Sequence, residues 1–391
     1  MDVLTWGFGK LGQLGNGKGE TDTQHTPVHP KLPTNTEVCD IHCGGYYTAV
    51  ISKNGHLYTF GCGKYGRLGT GDEEDRAEPV KIKAKDDDKG NITFRKVSCG
   101  IWHGAAIAND NNIYIWGYGK SHGVLGDPTL PSAALPTILN GPFNTIVSGI
   151  ACGNNFTLLW TSDGEAYSWG CGRHGVLGHE DGSDKNTPTI ISSFKNNSVK
   201  VIHMSAGFAH SGAVNSDGRL YMFGKGEDGA LGLGPSPPKQ VNEPRLVSTL
   251  QDVHITELSC NVGEKHGHTL CVSNQGQVFA FGDGYKGKLG LGDQNSHFAP
   301  AEIPKENFNG EHINHVSAGG IHSAAVSAEG HVFTWGCGSD GRLGHPEGKG
   351  HRYLFRSDVP REVEGLSKVG KAVSVSCSYY HTVALIETRK I

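Results

Sequence analysis

Three kinds of residue in the sequence carry types that do chemistry elsewhere: a recurring histidine, a recurring cysteine and a recurring glycine loop. His103, His210, His268, His322 and His381 occupy one slot of a repeated segment, and Tyr47 and Phe156 fill that slot in two further copies. A position that accepts tyrosine and phenylalanine is not a general metal ligand, so the slot reads as inner-strand packing with a backbone hydrogen bond. Cys62, Cys171 and Cys337 share a second slot, and Cys43, Cys99, Cys152 and Cys377 share a third, where Ala206 and Ala318 substitute. Cysteine exchanging with alanine fills a small buried space. The cysteines therefore read as reduced and structural, and the protein as intracellular, cytoplasmic or nuclear. No metal-spaced Cys/His cluster and no serine–histidine–acid set stands out, so neither a metal, a cofactor nor bond-making catalysis is expected.

The glycine loop, G-x-G-x-x-G-x-L-G, begins at Gly7, Gly61, Gly117, Gly170, Gly224, Gly282 and Gly336, and its third copy is one residue longer. A dinucleotide-binding loop is followed by a helix and then by an acidic residue about 20 positions on. Here Leu-Gly and a polar loop follow every copy. Gly119-Lys120-Ser121 resembles the end of a phosphate loop, but Tyr114 stands where that motif needs its first glycine. The glycines thus permit a tight strand-to-loop turn. The recurrent Leu14, Leu68, Leu125, Leu177, Leu231, Leu289 and Leu343 plug the space beside it.

The elements that carry these slots recur about every 55 residues. Units of that size cannot bury a face alone, so neighbours must supply the core. Each unit has a segment such as CGGYYTAVI at Cys43 or AGGIHSAAV at Ala318, then a turn such as Lys53-Asn54-Gly55 or Ser162-Asp163-Gly164. Asn-Gly and Asp-Gly supply the positive φ of tight hairpins. An alternating run follows, with rings at i and i+2: Tyr58/Phe60, Tyr114/Trp116, Tyr167/Trp169, Tyr221/Phe223, Phe279/Phe281 and Phe333/Trp335. Period two predicts strands. A last element with proline, as in Glu78-Pro79-Val80 and Glu243-Pro244, suits an outer edge strand. The fold class is all-β: a seven-bladed β-propeller forming a single domain over residues 1–391. The sequence opens midway through a unit at Leu4-Thr5-Trp6-Gly7 and ends after Tyr380-His381-Thr382. N- and C-terminal strands are therefore expected to complete one blade together.

Net charge is −4, and neither a polybasic tail, an apolar run long enough for a bilayer nor a signal peptide is evident. Direct nucleic-acid binding and membrane association are not expected, and the protein reads as a monomer.

The glycine loop together with [CA]-G-x-x-[HYF]-[TSG] upstream of aromatic-x-aromatic-Gly resembles the regulator of chromosome condensation repeat, over essentially the whole sequence. The resemblance implies a seven-bladed propeller. Its founding member is a guanine-nucleotide exchange factor for the GTPase Ran that also docks on nucleosomes, and relatives include a UV-B photoreceptor and propellers of HECT-type ubiquitin ligases. The founder uses one ring face, with histidines from the shared slot and acidic residues in glycine loops. His268 and His381 fall at matching positions, whereas Lys10 replaces an expected acid. The third loop, from which the founder projects a wedge, is only one residue longer than its neighbours here. No basic nuclear-targeting tail is present, and Trp102 stands alone where the photoreceptor clusters tryptophans. Chromatin docking and light sensing are therefore not expected.

Two functions follow. One is an exchange factor or regulator of a small Ras-like, Ran-type GTPase, contacted through His268, His322, His381 and the His122 loop. The other is a non-catalytic scaffold for a partner that is not a GTPase. The scaffold reading draws on insertions: Lys85–Lys89, Pro235–Pro238 and, longest, 345–365, where Arg352, Tyr353, Phe355 and Arg356 have interaction hot-spot composition.

Overall fold

The structure, a computed structural model, describes residues 1–19, 22–263, 266–350 and 355–388. Seven antiparallel sheets of four strands surround one axis. Blade 1 runs outward through Val38–Cys43, Tyr47–Ser52, Leu57–Gly61 and Arg76–Lys81. Blades 2 to 6 repeat that order within residues 94–139, 147–190, 201–246, 255–302 and 313–362. Blade 7 takes its two inner strands from Gly370–Cys377 and His381–Thr388 and its two outer strands from Asp2–Phe8 and Thr23–Val28. Leu4 pairs with Ala384 and Thr5 with Val383, so the two ends of the chain close the ring as expected. Among the described residues, no helix is long and apolar enough to cross a membrane.

Proline explains the outer edges. Pro27, Pro79, Pro136, Pro188, Pro244, Pro300 and Pro360 each sit in an outermost strand, where a missing N–H costs no ladder bond and discourages edge-to-edge pairing. Glycine explains the exits. Gly61 has φ 119°, and a Cβ there would lie 2.6 Å from the Tyr46 carbonyl oxygen. The motif leucines are 0–1% exposed, plugged between blades. The second ring of each aromatic pair is fully buried; Trp6, Trp116 and Trp335 donate Nε1–H to the carbonyls of Arg342, Arg67 and Lys288 in the preceding blade's glycine loop.

The histidine slot works across the blade seams. The expected backbone partner is replaced by a side-chain hydroxyl of the next blade, because the strand backbones are already committed to their ladders. Nε2 lies 2.8 Å from Thr157 Oγ1 for His103, 2.9 Å from Thr269 for His210, and 2.9 Å from Ser323 for His268. It lies 2.8 Å from Thr382 for His322 and 2.8 Å from Thr48 for His381. Four of these hydroxyls donate in turn to a glycine-loop carbonyl of the preceding blade: Thr269 to Ala230, Ser323 to Lys288, Thr382 to Arg342 and Thr48 to Gln13. A hydroxyl has one proton, so each of these four must accept from the imidazole, which fixes the Nε2–H tautomer. Blade 2 has Gly104 where its neighbours have a hydroxyl, and blade 1 accordingly carries the longer Tyr47, whose phenol donates to the His103 carbonyl at 2.8 Å.

A second ring of bonds lies nearer the axis. Backbone N–H groups of Cys43, Cys152, Cys260, Ala318 and Cys377 donate to hydroxyls of Ser376, Ser98, Ser205, Ser259 and Ser317. Cys99 N–H donates to His42 Nδ1. In the remaining seam Ala151 has no hydroxyl to offer.

Two outcomes test these seams. Thr382→Val strands the His322 N–H and lowers unfolding free energy by about 1–3 kcal/mol, measured by urea titration, whereas Thr382→Ser leaves it nearly unchanged; equal losses for both would contradict the clasp. Burial holds His103 and His381 at about 3 and His210 at about 4, and His268 and His322 well below the ordinary value of 6.5. The unfolded chain therefore takes up protons below pH 6.5 that the folded ring refuses until these lower values are reached. Stability falls with pH through that window, by up to about 1.4 kcal/mol per unit for each histidine. His103→Phe, borrowing the residue at 156, reduces that slope; an unaltered slope would refute neutral, seam-buried imidazoles.

A candidate interaction face built by the glycine loops

The glycine loops and the turns before the histidine slot emerge on one side of the disc, since His103 pairs with Gly117 and Tyr47 with Gly61 at those strand ends. On three consecutive blades this side gathers rings. Phe8 lies 5.3 Å from Tyr380, and Tyr380 lies 5.4 Å from Tyr46, centroid to centroid. Tyr65 meets Trp102 at 5.5 Å and Tyr118 at 5.3 Å, both edge-on. Between the two groups sits Arg67, 2% exposed, whose guanidinium is 6.0 Å from the Tyr46 ring, 5.8 Å from Tyr65 and 4.8 Å from Trp102. Arg342 plays the same part against Tyr380 at 5.3 Å and Tyr379 at 5.9 Å. Both guanidiniums also latch blades, Arg67 donating to the Ile101 carbonyl and Arg342 to that of Tyr379. Stacked, hydrogen-bonded arginines hold the rings in fixed poses.

Tyr65 is the most exposed of the arc at 46%. With Trp102, Tyr118, Ser121, His122 and Asn155 it lines a cleft of about 280 Å³. Tyr65 and His122 occupy the same place in successive glycine loops, both left-handed, with φ of 63° and 62°. That conformation costs a side-chain-bearing residue free energy and turns both side chains outward.

The residues singled out from sequence are distributed differently. His268, His322 and His381 are 0% exposed; they staple the seams beneath the face and present no surface to a partner in this conformation, because the hydroxyls that bind them lie inside the wall. His122 is on the face, its Nδ1 2.6 Å from Asp184 Oδ2 of the next blade. Arg352 and Tyr353 lie outside the described residues. The stretch 345–365 is not one insertion: Arg356–Glu362 is the outer strand of blade 6. Half-buried Phe355 packs its ring 6.4 Å from that of His345 and takes the Gly338 N–H on its carbonyl. Arg356 is exposed, with Nε 3.0 Å from Asp358 Oδ1.

Two features escaped the sequence reading. The arc is one. Its signal was an aromatic just before the histidine slot at Tyr46, Trp102 and Tyr380 only. The other is the axial channel, about 390 Å³, whose lining includes Asp40, Lys96, His203, Glu257, His315 and Ser374, at one level of six inner strands, where the seventh has Gly149. Lys96 lies 3.5 Å from Asp40, and His315 Nδ1 lies 2.8 Å from Glu257. Burial opposes charge on both members of the second pair, yet their attraction raises the His315 pKa and lowers that of Glu257. Burial wins at Asp40, whose pKa is raised despite Lys96.

The family model of the RCC1-like domain matches residues 2–387. The regulator of chromosome condensation of Xenopus laevis is 30% identical over 99% of this chain and 90% of its own length. The human E3 ubiquitin-protein ligase HERC2 is 31% identical over 88% of this chain, which spans only 7% of that much longer protein. Among solved structures, Prp20p of Saccharomyces cerevisiae superposes with a TM-score of 0.85 at 20% identity, over all of this chain and 92% of its own. A fully matched repeat profile, seven four-stranded blades and a closing blade shared by both termini agree: the chain belongs to the RCC1-like family of β-propellers.

Proposed function

We propose that the glycine-loop face binds a small Ras-like GTPase of the Ran type and favours its nucleotide-free form. The observation that carries this reading is the aromatic–arginine arc of Phe8, Tyr380, Tyr46, Tyr65, Trp102 and Tyr118, fixed by Arg67 and Arg342. Tyrosine, tryptophan and arginine on a rigid support are the composition of binding hot spots. Support also comes from relatives. The Xenopus protein is 30% identical along nearly the whole chain, and Prp20p was solved together with a description of its binding to Gsp1p and histones.

The mechanism is differential affinity. A face that binds the empty GTPase more tightly than the nucleotide-bound one lowers the cost of nucleotide loss, and each tenfold gain needs about 1.4 kcal/mol of preference. Such preference requires a face that does not yield to the bound form. Cross-blade clasps through His268, His322 and His381 supply that stiffness, so these histidines act here as positioning residues. His122 and Arg356 remain available on the surface, Arg356 on the outer strand of blade 6.

The scaffold reading is favoured by one observation: residues 119–131 of the third glycine loop contain no strand pair that would project into a partner. A single assay separates the two. Mixing the protein with a Ran-type GTPase carrying a fluorescent nucleotide accelerates release, and Tyr65→Ala and Trp102→Ala each cut the acceleration roughly tenfold or more at unchanged melting temperature. Binding without acceleration removes the exchange mechanism; absence of binding at micromolar concentration removes the GTPase reading and leaves the scaffold for a partner that is not a GTPase.

A further inference from the structure

Beside the aromatic cleft, the seam between blades 2 and 3 brings together three side chains that are far apart in sequence. His122 comes from the third glycine loop of blade 2; Cys171 and Asp184 come from blade 3. One ligand atom of each, imidazole nitrogen, thiol sulfur and carboxylate oxygen, lies within 4.8 Å of the other two. His122 Nδ1 is already 2.6 Å from Asp184 Oδ2. Asp184 Oδ1 is held by the Gly172 N–H at 2.8 Å, and the Cys171 thiol is a hydrogen-bonding partner of the same carboxylate.

Part of this arrangement is ordinary architecture. In blade 1 the Gly63 N–H likewise donates to Asp75 Oδ1, with Cys62 in the position of Cys171. What blade 1 lacks is the imidazole: the loop that reaches its seam carries Leu11 before the motif's middle glycine, where the third loop carries His122. The third loop is also the one with an extra residue. At that seam the Trp169 Nε1–H has no protein partner, while Trp6, Trp116 and Trp335 donate theirs to the preceding loop. The lengthened loop thus gives up a seam bond found elsewhere in the ring and places a nitrogen donor on a cysteine–carboxylate pair.

We propose that His122, Cys171 and Asp184 form a binding site for a divalent metal ion of the zinc class, stapling blade 2 to blade 3. The donor set suits a borderline-soft ion: one nitrogen, one sulfur and one oxygen. A tetrahedral ion with bonds of about 2.0–2.3 Å needs its ligand atoms roughly 3.3–3.8 Å apart, so small side-chain rotations are enough. The fourth position faces solvent, since 43% of the His122 side chain and 41% of the Asp184 side chain are exposed, and water takes it. Protons balance simply. The thiol gives up its proton to solvent as the sulfur binds, the carboxylate carries none, and the neutral imidazole shifts its proton from Nδ1 to Nε2 to free the ligating lone pair. Two ligand charges then offset those of the ion. The proposal stands apart from the GTPase reading, although a bound ion would fix the His122 wall of the cleft.

Cobalt chloride is the probe, because thiolate-bound, tetrahedral Co²⁺ absorbs in the visible and near ultraviolet. Titration of the reduced protein gives these bands at one ion per chain, and added zinc chloride removes them. His122→Ala, Cys171→Ser and Asp184→Asn each weaken binding by ~10-fold or more, while Cys62→Ser and Cys39→Ser do not. Melting curves without metal show that each variant folds. Loss of the bands in Cys39→Ser with retention in Cys171→Ser would place the ion at the exposed Cys39 and overturn the assignment. So would a thiolate band absent at millimolar Co²⁺, or one indifferent to His122→Ala.

Discussion

The fold depends on a hydrogen bond that no blade can make alone: an imidazole in one blade to a hydroxyl in the next, which in most seams holds a glycine-loop carbonyl of the first. Each sheet is apolar on both faces, so packing alone leaves rotation and sliding between neighbours weakly determined. The clasp removes that freedom. It ties the second strand of one blade, the second strand of the next and the intervening loop at one point. Neutral imidazole is essential to it, because a second ring proton adds charge at a site buried from solvent. Several Nδ1 atoms at these sites have no protein partner, so the arrangement tolerates an empty lone pair and would not tolerate an imidazolium.

From that constraint the surface follows. Loops held by their own carbonyls cannot drift, and the residues at their tips stand in fixed relation across seams. Tyr65 belongs to blade 1, but its ring neighbours Trp102 and Tyr118 belong to blade 2. Arg67 likewise springs from a blade 1 loop and reaches the blade 2 turn at Ile101. The candidate interaction face is therefore a product of seams, and its rigidity has the same origin as its stability. The channel on the axis is built on the same rule, with charges from different blades meeting as Lys96–Asp40 and His315–Glu257.

Much of this was legible in the residues, and what was not has a physical reason. Period-two rings, Asn-Gly turns and prolines at the last strand are local, so seven blades and their shared closure could be read directly. The histidine slot was read rightly as packing but assigned the wrong partner. The signal was present, in the Ser or Thr that follows the slot in every copy except Gly104, and in Tyr47 one blade earlier, whose length reaches past that glycine. Position 122 was noticed, yet its pairing with Cys171 and Asp184 was invisible, because metal spacing is a local pattern and a seam joins residues tens of positions apart. The arc was missed for a related reason. Tyr46, Trp102 and Tyr380 vary against Asn155, Ala209, Gly267 and Ile321 at the same repeat position, and variation within a repeat looks like tolerance when it marks one sector of a ring.

The ring coheres as one body, through its seams and through the blade that both chain ends complete. Native-state hydrogen exchange tests it most directly, by comparing the amides of Leu4 and Thr5 with those of the inner strands of blades 2 to 6. Both sets are expected to exchange only by global opening, with the same free energy and the same response to denaturant. Exchange of the 2–8 strand at markedly lower free energy, with the other blades still protected, would contradict it.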